Sequence, residues 1–228
     1  MESLQKLFGG AAPIRVMRLF LLNPDRPFAL ADVAKKAQMN IHAARRETAR
    51  LLQAKVIAQK KFIKEIPPKK GKNGSISFNK ARDTSLTAKG KKGKKSVRSV
   101  RKRVSGFVLD QTFSHLYALR LLLLGADSVD RKNLLAHLRS VGKLKLVVLA
   151  GILLRDEEGR VDLLVVGDSM NNRRMESALR VIESQVGKEL RYAMMDTREF
   201  NYRLGMYDKF IRDIFDYPHE KLVNKLGI

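Results

Sequence analysis

The chain has 228 residues, enough for one or two modest domains, and 44% of them are apolar, which is typical of a folded protein. Its 46 Lys and Arg residues exceed its 23 Asp and Glu residues, and the resulting charge of +23 favours a polyanionic partner, either nucleic acid or a membrane surface. The absence of cysteine excludes disulfides, thiolate metal sites and a cysteine nucleophile. Its apolar runs are shorter than the ~20 residues that cross a bilayer, and the N-terminus lacks a signal-peptide pattern. We therefore expect a soluble cytoplasmic protein with no membrane partner.

The positive charge is concentrated in the first half of the chain. Residues 1–110 hold 27 basic and 7 acidic residues, whereas residues 111–228 hold 19 and 16. Within the first half, the stretch from Lys60 to Arg103 has 17 basic and 2 acidic residues. A solvated, disordered basic linker is one interpretation of this stretch. Confinement of the charge to one part of the chain favours the other interpretation, contact with phosphates.

Two helices separated by a tight turn are predicted near the N-terminus. An apolar helical pattern in the opening segment ends at Pro24, because proline cannot donate the next helical hydrogen bond. The next helix covers residues 30–37, and a second helix covers 41–54 with Asn40 as its N-cap. The apolar residues of this second helix recur at i, i+3 and i+4. Its flanking and opposite faces therefore carry four polar side chains: His42, Arg45, Arg46 and Arg50.

A basic hairpin is predicted to follow. Residues 56–63 have a strand pattern and lead into a turn-rich basic loop, and residues 81–100 are of low complexity and predicted to be disordered. Order returns at 103–109, which is a candidate for the return strand. The hairpin would then carry a basic insertion over about 67–102.

Helix, short helix, turn, helix and basic hairpin together form the pattern of a winged helix-turn-helix, in which the hairpin is the wing. The region over 27–57 resembles winged-helix transcription regulators of the ArsR/MarR-like type in composition, turn position and its Arg-Arg-Glu run. The resemblance implies a recognition helix that enters the major groove and contacts DNA through His42, Arg45, Arg46 and Arg50. It also implies phosphate contacts from wing lysines: Lys60, Lys61, Lys64, Lys69, Lys70 and Lys72. A helical pair with solvated arginines, and a solvated His42, are the alternatives.

The second half predicts a small mixed α/β domain. A helix over 116–124 is apolar almost all round and is therefore predicted to be buried, within a connection over 111–127. Helices and strands then alternate: helix 131–141, strands 144–149 and 161–166, helix 173–186, strand 189–194, and two short closing helices. The prediction is thus an α+β multidomain protein, with a winged helix over 1–110 and a mixed α/β domain over 128–228.

Residues 144–168 are similar to the minimal nucleotidyltransferase domain, which places Gly-Ser after one strand and Asp-x-Asp on the next. In that family the Gly-Ser turn cradles phosphates and the aspartates hold the metal ions. Gly151 matches the glycine and Asp162 the second aspartate, whereas Ile152 replaces the serine and Arg160 the first aspartate. The resemblance implies a degenerate domain with no catalytic residue, bound metal or cofactor, and a vestigial nucleotide site at Gly151, Arg160 and Asp162. Alternatively, Asp162 is a strand-edge aspartate bound by neighbouring backbone amides.

The C-terminal tail is locally rich in aromatic residues. Two interpretations are open, a helical lid on the sheet and a dimer interface of the kind that suits a reader of symmetric DNA. The aromatic residues are Phe200, Tyr202, Tyr207, Phe210, Phe215 and Tyr217.

These patterns predict a transcriptional regulator that binds duplex DNA as a homodimer. Its catalytically lapsed C-terminal domain would sense a nucleotide or small-molecule effector, or support assembly. The alternative function is an active nucleotidyltransferase acting on a nucleic acid or a protein. A basic RNA-binding accessory protein is less favoured, because such readers stack bases on aromatic rings and only Phe62 and Phe78 lie in the basic stretch.

Overall fold

A computed structural model describes residues 2–66, 100–124, 130–154, 156 and 159–228, and its secondary structure is mixed α+β, as predicted. The helices are α1 (Glu2–Leu7), α2 (Ala11–Leu21), α3 (Leu30–Lys36), α4 (Ile41–Gln53), α5 (Leu116–Leu124), α6 (Arg131–Arg139), α7 (Asn172–Val186), α8 (Thr197–Gly205) and α9 (Lys209–Asp216). The strands are β1 (Ile57–Ile66), β2 (Val100–Leu109), β3 (Lys143–Ala150), β4 (Leu163–Asp168), β5 (Tyr192–Met195) and β6 (His219–Asn224). None of these described helices combines the length and hydropathy that a membrane crossing requires.

The chain divides into two compact units, one of residues 1–60 and 106–228 and the other of residues 61–105. Strands β1 and β2 form a two-stranded sheet. In the second unit the structure describes residues 61–66 of β1 and 100–105 of β2. Val100 already belongs to β2, so the insertion predicted over about 67–102 extends too far by three residues. Residues 67–99, including nearly all of the stretch predicted to be disordered, lie outside the described residues.

The N-terminal helices of the first unit form where local signals predict them. α2 ends at Leu21, just before Asn23 and Pro24. The Asn40 side chain accepts a hydrogen bond from the backbone N–H of Ala43 at 2.7 Å and so caps α4. Phe28 forms an isolated antiparallel bridge with Phe107 and helps to close the core around these helices.

Helix α5 forms as predicted, but the prediction that it is buried was wrong for most of its surface. Leu123 is fully buried, whereas Tyr117, Leu121 and Leu122 are 79%, 64% and 44% exposed. An apolar composition all round a helix does not specify which side contacts a core. The structure therefore leaves an apolar face of α5 in solvent, which we call the α5 face (Tyr117, Leu121 and Leu122).

The four-stranded sheet of the first unit has the order β5-β4-β3-β6. β3 is antiparallel to β4 and β6, whereas β4 and β5 are parallel and are joined through α7. Val147 packs with α6 and α7 on one face, and Val148 packs with α8 and α9 on the other. Because both faces are covered, β3 and β4 consist of nearly continuous apolar residues rather than alternating ones.

The C-terminal elements differ in part from the prediction. β6 adds a strand beside β3 where only helices were predicted, because its sequence has few apolar residues and its pairing partner is distant in the chain. β5 begins at Tyr192 rather than at residue 189. Gly187 ends α7 with φ of 92°, as predicted.

The aromatic residues of the tail divide between the two interpretations offered by the sequence. The phenylalanines pack against one face of the sheet as a lid, and the tyrosines are exposed. The lid phenylalanines are Phe200, Phe210 and Phe215, and the exposed tyrosines are Tyr202, Tyr207 and Tyr217.

Candidate nucleic-acid interface

Helix α4 presents a stripe of exposed residues on the side opposite its buried residues. Its members recur at helical spacing along one face, and the stripe contains three arginines and no carboxylate. The four α4 residues predicted to contact DNA all lie on this exposed stripe. The exposed stripe consists of His42, Arg45, Arg46, Ala49, Arg50 and Gln53.

A buried glutamate lies beneath the arginines of the exposed stripe. The side chain of Glu47 is only 4% exposed. Its carboxylate accepts a hydrogen bond from Arg46 Nε at 3.1 Å and lies 3.4 Å from Arg50 Nη1. Within the described residues, neither terminal nitrogen of Arg46 has an acceptor, and the Arg45 guanidinium has none. Glu47 thus positions two arginines, and the terminal N–H groups of Arg46 have no acceptor among the described residues.

The described part of the second unit is also basic. Lys61 is exposed and Lys64 is half-buried, and Lys60 is exposed at the end of the first unit. Three exposed basic residues on β2 add to this charge: Arg101, Lys102 and Arg103. They belong to the basic stretch, but the resemblance to winged-helix regulators does not imply contacts for them. The other predicted wing contacts, Lys69, Lys70 and Lys72, lie outside the described residues.

Arg18 is a structurally important residue that the sequence analysis missed. It lies on α2 and is completely buried, and its Nε and Nη1 donate to the carbonyl oxygens of Leu123 and Gln185 at 3.0 Å each. Burial lowers the pKa of this guanidinium. Its hydrogen bonds join α2 to α5 and to the C-terminal end of α7. The only sequence signal was its position within the apolar run of α2.

Further polar contacts in the first unit join the N-terminal helices to the end of α7. Asn23 Nδ2 donates to the carbonyl oxygen of Gly187 at 2.9 Å. Lys36 on α3 donates to the Glu189 carboxylate, and this hydrogen bond lowers the pKa of Glu189. The helices around α4 and the four-stranded sheet are therefore connected directly within the first unit.

Asp162, the predicted remnant of a metal-binding pair, lies just before β4 and is 1% exposed. Its Oδ1 accepts from the backbone N–H of Ile152 and from Arg191 Nη2, both at 3.0 Å. Its Oδ2 accepts from the backbone N–H and the Nε of Arg191 at 2.7 and 3.2 Å. A carboxylate offers about four lone-pair sites. All four are directed at donors of the protein itself, as the strand-edge alternative expects.

The two other residues of the predicted nucleotide site have structural partners as well. Gly151 has φ of 52°, and a Cβ atom there would overlap Asp162 Oδ1. Arg160 Nε forms an ion pair with Asp213 Oδ2 on α9 at 2.9 Å. The adjoining cavity measures about 10 Å³, room for about one water molecule, whereas ligand sites usually exceed about 300 Å³. The structure thus brings Gly151 and Asp162 together and directs Arg160 to Asp213.

The described residues contain no group of three His, Asp or Glu side chains that could hold a metal ion. No protein-family model matches the chain, and neither a curated protein nor a solved structure matches it. The functional interpretation therefore depends on the geometry of the chain itself.

Proposed function

We propose that this protein is a DNA-binding transcriptional regulator, in which α4 reads duplex DNA and the basic residues of β1, β2 and their connection contact backbone phosphates. The observation that carries the proposal is the exposed stripe of α4. It combines three arginines with an absence of exposed carboxylates, directly after a capped turn between two helices. An α-helix fits the major groove, and arginine is the side chain that most often reads guanine there.

The geometry of Glu47 supports a reading function for the arginines above it. A buried carboxylate is costly unless it is paired, and Arg46 and Arg50 supply the pairing for Glu47. By accepting from Arg46 Nε, it restricts this guanidinium and leaves both terminal nitrogens for a base or phosphate. Such preorganisation reduces the entropy lost when a side chain is fixed in a complex.

The distribution of charge supports phosphate contact as the source of general affinity. Residues 1–110 carry 27 basic and 7 acidic residues, and the described parts of β1 and β2 keep several of these basic side chains exposed. Neutralising roughly five to eight phosphates should give a slope of about −4 to −7 for log K against log salt concentration. A slope near zero would contradict the phosphate contacts.

The geometry of the C-terminal domain favours an inactive over an active nucleotidyltransferase. Two-metal phosphoryl transfer needs carboxylates that converge on metal ions. Both oxygens of Asp162 already accept two hydrogen bonds from within the protein, and Arg160 occupies the position of the family's other aspartate. We therefore propose a sensing or assembly function for this domain.

The proposal includes a homodimer, for which the α5 face offers an apolar surface in addition to the exposed tyrosines of the tail. The tail phenylalanines are used as a lid, whereas Tyr117 and Leu121 on α5 remain largely exposed. A stable interface needs about 800 Å² from each partner and an apolar anchor near its centre. The α5 face supplies such an anchor, since an exposed tyrosine and leucine are neighbours at i and i+4.

The test is selection of bound fragments from random duplex DNA, followed by affinity measurements on a selected site and on random DNA. Arg45→Ala and Arg46→Ala should weaken binding to the selected site more than to random DNA, by about 5- to 150-fold for a loss of 1–3 kcal/mol. A Lys60→Ala, Lys61→Ala double variant should weaken binding to both DNAs by similar factors.

Arg198→Ala, which changes an exposed arginine on α8, is the matched control and should leave both affinities unchanged. Equal losses on both DNAs for the α4 variants would show that α4 is not the reading helix. Failure to enrich any sequence would contradict sequence-specific regulation.

A further inference from the structure

A second basic feature lies in a groove between α6 and α7. The groove has a volume of about 490 Å³, within the range of about 300–1,000 Å³ that is usual for small-molecule sites. It is open to solvent, and it combines polar side chains with a small apolar floor. Its lining consists of Ala136, His137, Ser140, Arg173, Arg174, Ser177, Ala178 and Val181.

The lining of this α6–α7 groove is selective for negative charge. It contains two arginines, a histidine and two serines, and none of its members is acidic. Arg174 Nη1 donates to the carbonyl oxygen of Ser140 at 3.1 Å, which holds this guanidinium at the rim. Arg173 has no acceptor among the described residues. Paired guanidinium groups match a phosphate group, which accepts bidentate hydrogen bonds, whereas the Ser140 and Ser177 hydroxyls donate to the carbonyl oxygens of His137 and Arg173.

The stability of α7 does not explain its two arginines. Both lie in the first helical turn, which contains no acidic residue. Positive side chains in the first turn interact unfavourably with the helix dipole. The nearest acid on the helix, Glu176, does not line the groove. Its charge is close enough to Tyr192 to contribute to the raised pKa of that residue, for which burial is the larger cause. A ligand with negative charge would offset the repulsion.

The position of the groove argues against its being part of the DNA surface. Arg18 of α2 contacts the carbonyl of Gln185, near the C-terminal end of α7. Arg174 lies 11 residues earlier on α7, roughly 17 Å away at 1.5 Å per residue. The N-terminal helices therefore pack at the opposite end of α7 from Arg173 and Arg174.

We infer that the α6–α7 groove binds the phosphate group of a small phosphorylated molecule. Arg173 and Arg174 contact the phosphate, and Ala178 and Val181 contact the body of the ligand. This assigns the ligand of the C-terminal domain to a place that the sequence did not indicate. The predicted place has only a cavity of about 10 Å³, lined by Gly151 and Arg160 among others. In the proposed regulator this ligand is the effector. The identification of the ligand as an effector rests on the proposed function, whereas the binding of a phosphate group in the groove does not.

The test is titration calorimetry on the full-length protein with adenosine monophosphate, inorganic pyrophosphate and, as a phosphate-free control, adenosine. At least one of the two phosphate compounds should bind saturably, and adenosine should not. An Arg173→Gln, Arg174→Gln double variant should weaken that binding at least tenfold, since each arginine loses charge-assisted hydrogen bonds. Arg212→Gln on α9 and Arg160→Gln at the predicted nucleotide site should retain it. Thermal unfolding followed by circular dichroism checks that each variant is folded.

Absence of binding by both phosphate compounds would overturn the inference, as would unchanged binding in the double variant or its loss in Arg160→Gln. Duplex DNA affinity is measured on the same variants to separate the two sources of phosphate. The double variant should bind duplex DNA as the wild type does. A loss equal to that of the Lys60→Ala, Lys61→Ala variant would instead make the groove part of the DNA interface. Because the α4 variants test DNA reading independently, failure of either proposal leaves the other testable.

Discussion

Replacing Asp162 by asparagine should destabilise the protein substantially, although the change keeps the size of the side chain. Each carboxylate oxygen accepts two N–H donors, one of them a backbone N–H of Ile152 or Arg191. Either orientation of the asparagine amide therefore places an NH₂ group against two donors. One backbone N–H then loses its acceptor, at a cost of about 1–3 kcal/mol, and the interaction with Arg191 is weakened.

The side chain of Arg191 is 49% exposed, so water can replace much of its lost interaction, and this part of the loss is below about 1 kcal/mol. The expected total is a decrease of about 1–4 kcal/mol in the free energy of unfolding. Urea denaturation followed by circular dichroism measures it. Asp168→Asn is the matched control, because the Thr197 hydroxyl, which donates to Asp168 Oδ1 at 2.7 Å, can also donate to an asparagine oxygen. A control loss below about 1 kcal/mol is expected.

An Asp162→Asn variant as stable as the wild type would refute the structural interpretation of this residue. It would mean that the four hydrogen bonds do not contribute to stability. The residue would then have to be considered again as a remnant of a ligand site. A loss of stability with unchanged DNA affinity would agree with the proposed function, in which Asp162 shapes the C-terminal domain only.

Three further predictions concern the connections and surfaces of the first unit. Arg18→Met should lower the free energy of unfolding by about 2–4 kcal/mol in urea denaturation, since a buried and a partly buried carbonyl group lose a charged donor; an unchanged midpoint would contradict its structural role. The hydrogen bond from Lys36 lowers the pKa of Glu189. The pair therefore stabilises the folded protein at pH values above the ordinary pKa of glutamate, and this stabilisation is lost as the pH falls through the lowered pKa of Glu189. The wild type should be more stable than Glu189→Gln by less than about 1 kcal/mol, because the pair is exposed. This difference should shrink as the pH is lowered, and a difference that grows would contradict the prediction. A Tyr117→Ser, Leu121→Ser double variant should sediment as a monomer where the wild type sediments as a dimer, and a dimer that persists would exclude the α5 face as the interface.

Features controlled by neighbouring residues could be predicted from the sequence. Asn40 caps α4 because its side chain accepts from a backbone N–H three residues away. Pro24 marks the end of the first helical pattern, and Gly187 ends α7, for equally local reasons. The placement of arginines on the exposed stripe follows from helical periodicity alone. The mixed α+β composition could be predicted for the same reason.

The tertiary structure decided which groups meet across the chain. The donors to Asp162 include Arg191, 29 residues away, and the acceptors of Arg18 are 105 and 167 residues away. No local pattern indicates such partners, because they depend on how sheet and helices pack. Packing also left the α5 face exposed, although composition alone predicted its burial. The sequence therefore determined where helices begin, end and carry charge, whereas burial and pairing were set by contacts between residues that are distant in the chain.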